Sequence, residues 1–186
     1  MPRLFILLLF ICCTASFAED AGDSTLQEQA EALTQRFISE LKPQLKRAMN
    51  DGGPATAIEV CASAAPRIAD MLSAESGWQV KRVSLKSRNA SRAQPDSWER
   101  AALLDFNLAQ SAGEGAATLT HSGMDGNRYR YMQAQGVEPI CLICHGKGLS
   151  EPVRSVLGEY YPDDWATGYS LGQVRGAISV AKDLQQ

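Results

Sequence analysis

Cys141-Leu142-Ile143-Cys144-His145 is the stretch on which the reading of this chain turns. Two cysteines three apart, followed at once by a histidine, form the pattern of c-type haem attachment. The chemistry requires that spacing. Each thiol adds across one vinyl group of the porphyrin, so the two sulfurs must reach neighbouring edges of one ring. The next residue then offers an imidazole nitrogen to the iron. Other uses of a Cys-x-x-Cys pair compete with this one: a redox dithiol, half of a zinc site, or a structural disulfide. A thioredoxin-like dithiol wants a strand running smoothly into a helix, and Glu138-Pro139 just upstream opposes that. A zinc site would need two more ligands, and Cys61 and His121 are the remaining residues of the usual type. The pattern predicts one haem c, attached through Cys141 and Cys144, with His145 on one face of the iron.

The start of the chain fits an export route. Met1-Pro2-Arg3 is a short positive segment, and Leu4 to Cys13 is an apolar run too short to span a bilayer. Ser16 and Ala18 hold the small-x-small positions of a cleavage site. Residues 1–18 therefore read as a cleaved signal peptide, with 19–186 as a single haem-binding domain in the periplasm or otherwise secreted. No later segment is long and apolar enough for a membrane span. The whole chain carries 18 Lys and Arg against 21 Asp and Glu. Removing Arg3 with the signal leaves a net charge of −4, which gives no reason to invoke nucleic acid. Cleavage also removes Cys12 and Cys13, leaving Cys61, Cys141 and Cys144. In an oxidising compartment an odd cysteine needs a fate, and once haem takes two, Cys61 is the one left over.

Along the chain the expected order is helices first, then a sheet. Leu26, Ala30, Leu33, Phe37, Leu41 and Leu45 make one apolar stripe of a helix from Thr25 to about Met49, which Pro43 should kink or split. Asn50-Asp51-Gly52-Gly53-Pro54 stops it. A second helix runs from Ala55 to about Ala74, with Ala57, Cys61, Ala64, Ala65, Ile68 and Leu72 on one small-residue face and Pro66 bending it. Gln79 to Arg88 reads as a strand. Five positive charges lie between Lys81 and Arg92 with no acid among them. Most make a solvated face, but Arg82, Lys86 and Arg88 are the candidates for pairing with haem propionates, because a guanidinium matches a carboxylate in two-point geometry. Asp96 to about Ala112 is a third helix. Two strands follow, Ala116 to His121 and Tyr129 to Gln135, with a turn at Gly123 to Asn127. Gly146 and Gly148 would let the backbone pass close to the cofactor. A helix from Ser150 to Gly158 and a strand from Gly176 to Val180 complete an α+β domain, N-terminal helices on an antiparallel sheet.

The residues alone leave the second axial position open among His121, Met49, Met71, Met124, Met132 and Cys61. A wider set of motifs narrows it. These are Ala57-Ile58-Glu59-Val60-Cys61 with Ala65-Pro66, the run Arg82 to Asn89, Arg128-Tyr129-Arg130-Tyr131-Met132, Glu138 to Gly146, and Tyr161-Pro162-Asp163 through Gly168-Tyr169 to Arg175 and Val180. In these blocks the chain resembles a family of single c-type haem domains from bacteria and cyanobacteria, first catalogued as a domain of unknown function. The family occurs as lone secreted proteins and as the sensor part of membrane signalling proteins. The resemblance covers nearly all of residues 19–186. It implies a PAS-like α+β fold and a haem held by a histidine on one side and a cysteine sulfur on the other. Carried over, the ligands are His145 and Cys61. No kinase-like module or later membrane span accompanies the domain, so signalling would need a separate partner protein.

A thiolate ligand stabilises ferric iron and so lowers the reduction potential. The expected function is single-electron transfer or redox sensing with an unidentified partner. The alternative is a gas sensor in which NO or CO displaces Cys61. No paired-carboxylate, Ser-His-Asp or phosphate-loop arrangement is visible, so the expectation is a protein that is not an enzyme.

Overall fold

The structure is a computed structural model that describes residues 17–185. Residues 1–16, most of the expected signal peptide, lie outside the described residues. The first element, α1, is Phe17–Ser76, and only Gly53 within it leaves helical dihedrals, at φ 73° and ψ −164°. That break makes α1 a hairpin of two limbs, because the Arg36 guanidinium pairs with Glu75 at 2.7 Å. Gly53 supplies the positive φ that the turn requires. Pro43 and Pro66 sit inside the limbs with helical dihedrals, so Pro43 does not split its helix.

The sheet takes four antiparallel strands in the order β1-β4-β3-β2. They are β1 Gln79–Val83, β2 Thr120–Asp125, β3 Arg128–Gly136 and β4 Val174–Asp183. Period-two alternation sends Val80, Tyr129, Tyr131, Ile178 and Val180 to one face, where they pack on Ala30, Phe37, Ala64, Ile68 and Leu72 of α1. Val83, Met132, Ala134 and Ala177 point the other way, onto Ala102, Leu103 and Phe106 of α2, Ser97–Ser111. Asp96 caps α2 in a reciprocal box with Glu99. The α+β architecture expected from the sequence is the one observed.

Boundaries differ in places with physical reasons. β1 stops at Val83, because the Ser84 N–H turns away to the carbonyl of Ala93, and Ser84 Oγ bonds the Lys86 carbonyl within the following loop. β2 runs through Gly123 and Met124 to Asp125, so the turn is Gly126-Asn127 and tighter than expected. Residues Ala116–Thr118 form a 3-10 turn rather than strand. The haem motif itself follows a 3-10 turn, Pro139–Cys141, and forms the short α3, Leu142–His145. The next helix is α4, Glu151–Tyr160. It packs Val153 and Leu157 on Ile58 and beside Cys144, which ties the motif to the second limb of α1.

Candidate cofactor site under the helical hairpin

One cavity of about 320 Å³ lies between α1, the open end of the sheet and α3. Cys61, Cys141, Cys144 and His145 all line it. These residues come from three separate parts of the chain. Cys61 is on the second limb of α1, Cys141 ends the 3-10 turn, and Cys144 and His145 belong to α3. The three described cysteines are free thiols.

His145 is oriented by its neighbours. Its Nδ1 lies 2.6 Å from the Ala166 carbonyl, which requires a proton on Nδ1. The lone pair is then on Nε2, the nitrogen a metal would take. Burial, with the cations Arg175 and Arg88 nearby, holds the imidazole well below its usual pKa, so it is neutral at pH 7 and able to bind. The backbone on either side is fixed too. Tyr169 and Gly168 donate their N–H groups to the carbonyls of His145 and Gly146 at 2.9 and 3.0 Å. Gly146 is needed for a reason other than cofactor approach. Neither it nor Gly148 lines the cavity, and a Cβ on Gly146 would sit 2.5 Å from the Leu142 carbonyl that closes α3.

The five basic residues from Lys81 to Arg92 all border the cavity, but they are engaged very differently. Lys81 pairs with the fully buried Glu99 at 2.9 Å. Lys86 donates to the Thr167 carbonyl at 3.0 Å and sits 4.9 Å over the Tyr169 ring. Arg88 pairs with Asp164 at 3.0 Å, donates to the Cys144 and Ala166 carbonyls, and places Nη1 3.4 Å from His145 Nε2. That nitrogen accepts either Arg88 or a metal, so Arg88 must yield it when a metal binds. Arg92 pairs with Asp70. Arg82 makes no ion pair or side-chain hydrogen bond among the described residues. Burial, opposed by Cys61 and Tyr161 nearby, pulls its pKa below the ordinary arginine value.

Arg175 belongs to the same set and was not among the residues singled out from sequence. Gln135 pairs with Gly176 and Gly136 with Val174, so Arg175 is the extra residue of a β-bulge. Bulges re-aim side chains beside functional sites. Here the guanidinium reaches Gln135 Oε1 at 3.3 Å on the cavity side and meets no carboxylate among the described residues. Burial and the like charges of Arg82 and Arg88 push its pKa down to about 9. The signal in the sequence was a lone cation in the apolar run Val174 to Val180. Against these cations the cavity wall contains one acid, Glu138, and Lys42 neutralises it at 2.5 Å.

Burial pushes the Cys61 thiol up, while Arg82, Arg175 and Arg88 oppose the rise. The other proposed axial donors separate clearly. His121 lies against Trp98 with ring centroids 4.8 Å apart. Met132 is buried on the α2 face, Met71 packs in the α1 core, and Met124 is exposed. Of that set only Cys61 and Met49 line the cavity. A zinc reading gains no support, because no group of three or more His, Cys, Asp or Glu side chains among the described residues is placed to hold a metal ion.

The residues fit a haem. One imidazole has its metal-binding nitrogen met only by Arg88, thiols of the motif and of α1 line the same cavity, and two half-buried guanidiniums have no carboxylate partner among the described residues, where a haem has two carboxylates to offer. These features define an α+β cofactor-binding domain built around one cavity. The chain belongs to the Tll0287-like family, which it matches over residues 17–182. A crystal structure of the cyanobacterial heme-protein Tll0287 is similar, with 26% identity and a TM-score of 0.62, over 92% of this chain and 99% of that one. Nothing among curated proteins matches the chain.

Proposed function

We propose that this chain is an exported c-type haem protein whose iron undergoes single-electron oxidation and reduction, in electron transfer or in redox sensing. Cys141 and Cys144 hold the porphyrin, His145 Nε2 and the Cys61 sulfur take the two faces of the iron, and Arg82 and Arg175 take the propionates. The bound haem supplies a one-electron couple. The chain keeps His145 neutral and oriented, excludes bulk water with the α1 hairpin, and balances negative charge with the guanidiniums. The observation that carries the reading is that Cys61, Cys141, Cys144 and His145 share one cavity with two half-buried arginines that have no carboxylate partner among the described residues. A protein similar over nearly its whole length bears the description of a heme-protein, which supports it.

Gas sensing is the second reading. It is favoured by the apolar wall beside Cys61, formed by Leu41, Leu45 and Ile58, which suits a small uncharged ligand. The test is the ferric EPR spectrum of the haem-loaded protein and of Cys61→Ala. The reading predicts a low-spin thiolate signal in the wild type that the substitution abolishes. Identical spectra would remove Cys61 as a ligand.

A further inference from the structure

The two limbs of α1 bring two different sulfur donors to the same cavity. Cys61 comes from the second limb and Met49 from the first. The limbs run antiparallel from Gly53, with the Arg36–Glu75 ion pair fixing their register. Counting inward equally from that pair sets Met49 across from Ala62, the residue after Cys61. Met49 therefore reaches the cavity at the level of Cys61. Among the described residues no other methionine lines the cavity, and His145 is the only histidine that does.

We propose that Met49 is a reserve ligand that replaces Cys61 on the iron when the protein is reduced. This rests on the haem reading given above. A thiolate is anionic and favours ferric iron, whereas a thioether is neutral and soft, and His/Met ligation raises the potential. One electron arrives from a one-electron donor, dithionite in the assay or a redox protein in the cell. The bond from Cys61 sulfur to iron breaks, Cys61 takes a proton from solvent and remains as a neutral thiol. The Met49 sulfur then bonds through a lone pair at the same position. No further oxidant or reductant is consumed. If Met49 were only part of the apolar wall, as Leu45 is, a leucine would serve in its place.

The test uses the haem-loaded wild type, Met49→Leu and Cys61→Ala, each checked for covalent haem by intact mass. Leucine is close to methionine in volume, so the wall stays filled. Ferric EPR of Met49→Leu should match the wild type. Reduced wild type should be low-spin, with the ring-current-shifted methyl signal of an iron-bound thioether in its proton NMR spectrum, and reduced Met49→Leu should be high-spin and lack that signal. Met49→Leu should bind CO about tenfold more tightly, the factor lost by a site open about a tenth of the time. Cys61→Ala should show thioether ligation in both oxidation states. Covalent haem with the same ferrous spin state and CO affinity in wild type and Met49→Leu overturns the reserve ligand alone. Absence of covalent haem from all three proteins overturns it together with the haem reading.

Discussion

Replacing Arg175 by methionine should change stability in opposite directions with and without haem. The substitution keeps most of the apolar stem and removes the charge. Burial and the neighbouring Arg82 and Arg88 lower the Arg175 pKa from the ordinary arginine value to about 9. At 1.36 kcal/mol per unit, keeping that charge at pH 7 costs the haem-free fold on the order of 5 kcal/mol. The haem-free variant should therefore be more stable than the wild type by several kcal/mol. In the loaded protein the same guanidinium faces a propionate. Breaking a buried pair by removing one partner costs roughly 3–5 kcal/mol, so the loaded variant should be less stable. Urea denaturation at pH 7 of both forms measures both signs. The pH dependence is a further check. The folded pKa lies below the unfolded one, so above about pH 9 the unfolded chain binds more protons, and the haem-free wild type gains stability as pH rises. Arg175→Met lacks that gain. A change of the same sign in both forms, or no gain without haem, would refute the assignment of Arg175 to a propionate.

Three further substitutions, at two positions, test the scaffold that presents the arginines. Glu99 is fully buried and accepts from Ser179 Oγ at 2.7 Å, Lys81 at 2.9 Å and the Asp96 N–H at 2.9 Å, which ties β1 and β4 to α2. Glu99→Ala should cost about 3–5 kcal/mol in urea denaturation, because Ser179 and Arg130 lose a partner in the interior, and Glu99→Gln should cost about 1–3 kcal/mol. Gly176→Ala places a Cβ 2.4 Å from the Val83 carbonyl at φ 157°, and backbone cannot yield as a side chain can. It should destabilise by about 1–3 kcal/mol and disturb the bulge that presents Arg175, seen as a lower thermal midpoint in the loaded protein.

What the sequence revealed and what it hid follow from range. Features set by local chemistry were legible. The stop at Asn50 to Pro54 is the hairpin turn at Gly53, and the Asp96 cap opens α2 where expected. The Cys141 to His145 pattern does border a cavity with Cys61. Features set by pairing were not. A period-two reading of Gln79 to Arg88 fails beyond Val83, because the chain leaves the sheet there and no longer alternates faces. Arg82 on the strand therefore keeps its side chain toward the cavity, while Arg88 on the loop is drawn to Asp164, a residue distant in sequence. Arg175, named only within a family block, was not read as a cavity cation because a bulge, which depends on the register between β3 and β4, decides where it points. Met49 was one of six candidates for the second axial position that the sequence could not separate, and it is the hairpin register that sets it beside Cys61.

Intact mass under denaturing conditions tests the central claim most directly. The full chain is produced with a cytochrome c maturation system, alongside Cys141→Ala with Cys144→Ala. The account predicts that the wild type keeps the added mass of one haem after acid-acetone extraction and that the double variant does not. A wild type whose haem extracts, or that carries none, would contradict it.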